Sequence, residues 1–198
     1  MRLGVFGGTF DPPHLGHLIL AAEAADQLRL DRVLWVLTPN PPHKRGVVLS
    51  PLPIRLELLQ AALADVPTFE LSDVEIRRVG PHYSLDTIRQ LKQDFPQDEI
   101  IFLIGGDSLR DLPTWHRPLD VVEAVDGLGV MRRPGARIPL ADLEEKIPGL
   151  KDKLAWVDAP RIQISASDIR MRIREGKPFR FFVLPSVYQI ILERGLYR

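Results

Sequence analysis

The sequence contains no cysteine among its 198 residues. Disulfide bonds and thiolate chemistry are therefore excluded, and the absence fits a reducing compartment such as the cytoplasm. A structural zinc site is also disfavoured, because such sites usually use four Cys or His ligands and the chain has only 5 histidines.

Neither sign of charge is in excess, because Lys and Arg number 26 and Asp and Glu also number 26. Proteins that bind nucleic acids non-specifically usually carry a basic excess, so the balance argues against that class. No apolar run approaches the ~18 residues of a membrane span, and the N-terminus lacks the pattern of a signal peptide. We therefore expect a cytoplasmic protein with neither a nucleic-acid partner nor a membrane partner.

Apolar runs typical of buried strands alternate with amphipathic segments typical of helices. The predicted strands are 3–6, 32–37, 69–76, 100–104, 127–131 and 154–157. The predicted helices are 18–28, 54–63, 85–94, 119–125, 140–147, 165–176 and 185–194. This alternation predicts an α/β fold, with a doubly wound, mainly parallel sheet and helices on both faces. We expect one domain, 1–198, whose C-terminal part from about 164 is helical.

The segment 7–17, which reads GGTFDPPHLGH, is the most informative part of the sequence. It lies between the strand 3–6 and the helix 18–28, at a strand end where ligands of such folds bind. Gly7 and Gly8 permit close approach of a ligand to the backbone, and the helix start offers N–H groups and a positive dipole end. His14 and His17 project to one side of that start. The arrangement suits a polyphosphate and is not a Walker A loop.

Two other interpretations of this segment stay open. It could be a structural strand–turn–helix with two incidental histidines. Alternatively, Asp11, His14 and His17 could form a metal site.

The segment 164–170, ISASDIR, carries a second signal. Hydroxyls at a helix start, here Ser165 and Ser167, can cap the helix or donate to a phosphate oxygen. Arg170 can add a charge-assisted hydrogen bond. An ordinary capped helix with a surface arginine is the alternative.

Both segments resemble motifs of the nucleotidyltransferase superfamily. Segment 7–17 is similar to its signature G-[TS]-F-D-x-x-H-x-G-H, and segment 164–170 to its element I-S-[ST]-[ST]-x-[IL]-R, with Ala166 where a hydroxyl is common. Further local matches resemble the bacterial nicotinate-nucleotide adenylyltransferases. They lie at 42–44, 83–87, 104–107, 112–115, 133–135, 184–185 and 195–197.

The resemblance implies transfer of the adenylyl group of ATP to nicotinate mononucleotide, with Mg²⁺ bound mainly through the ATP phosphates. The implied catalytic residues are His14, His17, Lys44 and Arg170. The implied ATP site comprises Gly7, Gly8, Thr9, Phe10, His14, His17, Gly105, Asp107, Ile164, Ser165, Ser167 and Arg170. The implied acceptor site comprises His43, Lys44, Tyr83, Ser84, Trp115, His116 and Arg133.

In this resemblance Trp115 stacks on the pyridine ring, and the backbone N–H groups of Ser84 and His116 bind the nicotinate carboxylate. Lys44 bridges phosphates of the two substrates, and Arg133 contacts the acceptor phosphate. Lys44 could instead be a solvated loop charge, and Trp115 a core residue.

Other functions stay open at this point. A related enzyme could use nicotinamide mononucleotide or phosphopantetheine, and a non-catalytic nucleotide sensor could share the fold. A homo-oligomer is also possible. Outside the motifs, we assign Trp35 and Trp156 to the core and His82 to a surface loop.

Overall fold

The computed structural model describes residues 1–41, 48–132, 138–160 and 162–198. Its centre is a 6-stranded sheet with the order β3-β2-β1-β4-β5-β6, in which all neighbouring strands are parallel. The strands are β1 Arg2–Gly8, β2 Arg32–Leu37, β3 Phe69–Ser72, β4 Glu99–Gly105, β5 Gly127–Arg132 and β6 Leu154–Asp158. The predicted doubly wound parallel fold is confirmed.

The described helices follow the strands along the chain. They are α1 Leu15–Gln27, α2 Leu52–Leu63, α3 Ser84–Asp94, α4 Gly106–Asp111, α5 Pro118–Ala124, α6 Leu140–Lys146, α7 Leu150–Lys153, α8 Ala166–Arg174 and α9 Pro185–Glu193. Short 3-10 turns occupy Leu112–Thr114 and Arg180–Phe182. Sequence analysis missed α4 and α7, because elements of one or two turns are too short for an apolar period to emerge.

The strands alternate their side chains between two apolar layers, as parallel strands covered on both faces do. In β1, Leu3 and Val5 join one layer, which is completed by α3 and α5. Phe6 joins the opposite layer with Trp35, beneath α1 and α2. Trp35 is a core residue as predicted. Trp156 is half-buried, packs against the first layer, and lies under the guanidinium of Arg132.

A third apolar cluster joins the C-terminal helices to the sheet layers. Leu58 and Ala62 of α2 pack against Ile169 of α8 and against Val187 and Ile191 of α9. Helix α2 therefore buries one side on the sheet and another side on α8 and α9.

The predicted strand 69–76 ends early, at Ser72. As an edge strand, β3 pairs only with β2, so nothing on its outer side continues the ladder. Beyond it, the Arg77 N–H donates to the Asp73 carbonyl and turns the chain. The turn carries Val74 and Glu75 into the interior.

The order of the strands reverses between β1 and β4, which lie side by side. Connections on the two sides of such a reversal leave in opposite directions, and a crevice opens at the carboxyl ends of the strands. Within the described ranges, no helix is both long and apolar enough to cross a bilayer.

Candidate active site

Two glycine-bearing strand ends border the crevice. Gly7 and Gly8 end β1, and Gly105 ends β4; the parallel register sets Phe6 against Leu103 just before them. A Cβ added to Gly7 or Gly105 would meet no atom within 4 Å. The backbone at both ends is therefore open to close approach by a ligand.

Gly8 is needed for a different reason. A Cβ on it would lie 2.9 Å from the ring of Phe10. Phe10 itself has a left-handed φ of 45° and is almost fully buried. This turn folds the chain back over the end of β1 and brings the following residues to the start of α1.

His14 and His17 lie together at the start of α1. Their rings are stacked, with centroids 3.6 Å apart and 23° between the planes. The backbone N–H of His14 donates to Nδ1 of His17 at 3.3 Å. Since that nitrogen accepts, the proton of a neutral His17 ring resides on Nε2, which makes Nε2 a donor.

His14 is buried, and burial lowers its pKa to about 4. It is therefore neutral at physiological pH. Gly16 accommodates it, because a Cβ there would lie only 3.1 Å from Nδ1 of His14. No described residue pairs with this Nδ1, although it is buried.

Helix α8 begins beside α1. The carbonyl oxygen of Ile164 lies 3.7 Å from the Cβ position of Gly16. Ser165 is the N-cap of α8: its hydroxyl oxygen accepts the N–H of Asp168 at 3.1 Å and lies 2.9 Å from the Ser167 hydroxyl. The capped helix that sequence analysis kept as the alternative is therefore present, and Ser167 is exposed at the first turn.

Arg170 joins this helix to the glycine-rich loop. Its Nη1 donates to the backbone carbonyl of Asp11 at 2.6 Å, across 159 positions of sequence. The two segments that sequence analysis singled out thus form one surface. Its phosphate-binding groups would be two helix starts, two imidazoles, hydroxyls and one guanidinium.

The carboxylate of Asp11 is buried and hydrogen-bonded within the protein. It accepts the phenol of Tyr197 at 2.7 Å and the N–H of Ser50 at 3.0 Å. No group of three or more potential metal ligands occurs among the described residues. The metal site of Asp11, His14 and His17 is therefore unsupported by the structure.

Arg55 is the buried counter-charge in this region. Its guanidinium donates to four carbonyl groups, those of Thr9, Thr38, Pro39 and Ser50, at 3.2, 2.8, 2.8 and 3.0 Å. Burial lowers its pKa, and the Asp11 charge opposes that shift. Arg55 thereby ties the loop after β1 to both ends of the segment 38–50.

Residues predicted to bind the acceptor meet at the start of α3. Tyr83 precedes that helix and Ser84 is its first residue. The rings of Tyr83 and His116 are stacked at 4.1 Å. Trp115 follows the 3-10 turn, is half-buried, and meets Phe102 edge-on at 6.3 Å.

A buried polar cluster supports this acceptor side. The Thr87 hydroxyl donates to the Glu75 carboxylate at 2.6 Å and accepts from Arg78 at 3.1 Å. His82 is 6% exposed, so its prediction as a surface residue was wrong. Sequence analysis placed it between Gly80 and Tyr83 in a polar loop, but the turn after β3 folds it inward.

Of the remaining predicted site residues, one lies in the described part of the chain and three do not. Asp107 lies in the first turn of α4, 3.3 Å from Arg110. His43, Lys44 and Arg133 fall outside the described residues. Their roles stay predictions.

Sequence comparison supplies the family. The sequence model of the cytidylyltransferase-like family matches residues 5–172. A protein of Thermomicrobium roseum, named as a nicotinate-nucleotide adenylyltransferase, is 45% identical over 197 residues, covering 100% of this chain and 92% of its own length. A protein of Shouchella clausii with the same name is 42% identical, covering 99% of this chain and 96% of its own length.

This chain belongs to the nicotinate-nucleotide adenylyltransferase family. Solved structures agree at the level of the fold. Nicotinic acid mononucleotide adenylyltransferase of Plasmodium falciparum, solved with NaAD, superposes with a TM-score of 0.80 and 17% identity, covering 99% of this chain and 97% of that one. The same enzyme solved with APC gives a TM-score of 0.77.

Sequence analysis missed Arg55, and it did not predict the buried hydrogen bond between Asp11 and Tyr197. Arg55 could have been found, because Arg55, Leu58, Leu59 and Ala62 share one buried helical face and only Arg55 is charged. A charge at such a position needs partners. Nothing in local sequence links Tyr197 to Asp11, which lie 186 positions apart.

Replacing Arg55 by lysine should destabilise the protein. Lysine keeps the charge but cannot reach four carbonyl groups in different directions. We expect the free energy of unfolding to fall by about 2 to 4 kcal/mol in a denaturant titration. Arg89→Lys is the control: Arg89 is half-exposed and pairs with Asp120 at the surface, so its substitution should cost less than about 1 kcal/mol. Equal losses in the two variants would contradict the role of Arg55.

Stability should fall as the pH decreases from 6.5 to 4, in part because of His14. Its pKa is 6.5 in the unfolded chain and about 4 in the folded protein, so the unfolded chain binds more protons in this window. The neutral His14 contributes about 3 kcal/mol to the free energy of unfolding above pH 6.5, and this contribution is lost as the pH falls towards 4. His14→Gln should flatten the pH dependence measured by denaturant titration, whereas an unchanged slope would show that His14 titrates normally.

Proposed function

We propose that this protein transfers the adenylyl group of ATP to the 5′-phosphate of nicotinate mononucleotide, producing nicotinate adenine dinucleotide and pyrophosphate. The observation that carries the proposal is the bond from Arg170 to the Asp11 carbonyl. It unites the two phosphate-binding segments at the strand-order reversal of a fold whose relatives bear this name.

The acceptor phosphate supplies its own nucleophile. The second pKa of a phosphate monoester is near ~6, so the group is already ionised at neutral pH. One of its oxygens attacks the α-phosphorus of ATP, and a new P–O bond forms. The bond from the α-phosphorus to the bridging oxygen breaks, and pyrophosphate leaves with the electron pair. No general base is required.

The protein's contribution is positioning and electrostatic stabilisation, as in other phosphoryl transfers. His17 would donate its Nε2–H to a phosphate oxygen. The His14 N–H favours this tautomer, because it donates to Nδ1 of His17. His14, which burial keeps neutral, would contact the ATP phosphates beside His17. Ser165, Ser167 and Arg170 would hold the adenylate and triphosphate, and the Arg170 guanidinium would neutralise charge that develops on the leaving pyrophosphate.

The ATP site would be lined by the backbone of Gly8, Thr9 and Phe10, together with Gly7, Gly105 and Ile164. The open space beside Gly7 and Gly105 supports this role. Asp107 would meet a ribose or its neighbourhood. ATP would enter as its Mg²⁺ complex, with the ion held by phosphate oxygens and water.

The acceptor would bind on the other side of the crevice. Ser84 and His116 would present backbone N–H groups to the nicotinate carboxylate, beside the stacked rings of Tyr83 and His116. The half-buried Trp115 would stack on the pyridine ring. His43, Lys44 and Arg133 would contact the acceptor and its phosphate.

The reaction is tested by measuring pyrophosphate release with MgATP and one of three acceptors: nicotinate mononucleotide, nicotinamide mononucleotide or phosphopantetheine. We expect a strong preference for the first, because a pair of N–H donors favours a carboxylate over an amide. Preference for either of the others would overturn the acceptor assignment. ATP binding without release with any acceptor would support the nucleotide sensor.

His17→Ala should lower kcat by about 10²- to 10³-fold, the usual effect of removing one donor to developing charge. The fold should persist, because His17 is a half-buried residue at the rim of the core. The matched control is Glu23→Ala on the same helix, where the Glu23 carboxylate accepts a hydrogen bond from the neighbouring Gln27 side chain. Wild-type turnover by folded His17→Ala would refute the assignment.

A further inference from the structure

Tyr197 contacts the nucleotide loop from the far end of the sequence. Its hydroxyl donates to Oδ1 of Asp11 at 2.7 Å. The same aspartate accepts the Ser50 N–H on Oδ2 and the Arg170 guanidinium on its backbone carbonyl. Among the described residues Asp11 therefore has three anchors, and Tyr197 is the one from the segment that follows α9.

The backbone of Tyr197 is strained where this contact is made. Its φ is 66°, in the left-handed region that bulky residues rarely occupy. Such a conformation persists only where the surroundings over-determine it, and it is enriched at functional sites. Here the ring packs against the apolar cluster of α8 and α9 while the hydroxyl reaches Asp11.

The electrostatic setting keeps the phenol a donor. Burial and the Asp11 carboxylate raise the pKa of Tyr197 well above its ordinary value, while Arg170 acts in the opposite sense. The hydroxyl therefore stays protonated throughout the physiological pH range.

We propose that Tyr197 is a positioning residue for adenylyl transfer, which acts through Asp11 to hold the nucleotide loop and Arg170 in register. The inference rests on the proposed function of this site. It assigns to Tyr197 a larger effect on the ATP half of the reaction than on recognition of the acceptor.

The asymmetry between the substrates follows from the contacts. Asp11 lies between Thr9 and His14 in the loop that would hold ATP, and its carbonyl receives Arg170. Loss of the phenol would leave the buried carboxylate with one fewer donor, and the loop would shift to compensate. Among the described residues, no hydrogen bond joins Asp11 to the acceptor-side cluster of Glu75, Arg78 and Thr87.

The test compares Tyr197→Phe with Tyr188→Phe. Tyr188 lies in the same apolar cluster and contacts Phe179 and Arg180 through its ring. For Tyr197→Phe we expect the KM for MgATP to rise and kcat to fall, together lowering kcat/KM for ATP about tenfold. The KM for nicotinate mononucleotide should stay within about twofold of wild type. Tyr188→Phe should leave all three constants unchanged.

A binding measurement separates this inference from the proposed reaction. Affinity for a non-hydrolysable ATP analogue, measured by calorimetry without acceptor, should fall in Tyr197→Phe and not in Tyr188→Phe. If wild-type protein transfers no adenylyl group, the proposed function fails, whatever the calorimetry shows. If wild type is active but both variants behave alike, or if both substrates are affected equally, the positioning role is wrong.

Discussion

Two buried charges of opposite sign, Asp11 and Arg55, organise the loops at the carboxyl ends of β1 and β2. Both side chains are buried, and their hydrogen bonds are made to other parts of the protein. The Arg55 guanidinium donates to four carbonyl groups of these loops. The Asp11 carboxylate accepts hydrogen bonds from Ser50 and Tyr197. Buried charges are costly unless they are paired and fully hydrogen-bonded. The need to satisfy both charges therefore dictates the positions of the loops.

The surface proposed to bind phosphates is a consequence of that organisation. With the carbonyl of Asp11 held in place, Arg170 of α8 has a fixed partner, and the starts of α1 and α8 lie side by side. The sheet contributes the crevice itself, since its order reverses between β1 and β4. A transferase that requires no general base needs little beyond such pre-arranged donors.

Much of this could be predicted from sequence, for identifiable physical reasons. Parallel strands buried on both faces are continuous apolar runs, so β2, β4 and β5 were predicted to within one or two residues at each end. The segment 7–17 was informative because Gly8 and Gly16 each satisfy a local steric requirement, beside Phe10 and His14. What could not be predicted depends on long-range packing: the end of β3 at Ser72, the burial of His82, and the bond from Tyr197 to Asp11.

The central claim is direct transfer of the adenylyl group between two substrates held by the protein. It is tested most directly by incubating the protein with nicotinate mononucleotide and ATP that carries a radioactive α-phosphate. The account predicts that the label passes to the dinucleotide and that none is recovered covalently bound to the protein, even when the acceptor is omitted. Label on the protein, or none in the dinucleotide, would contradict it.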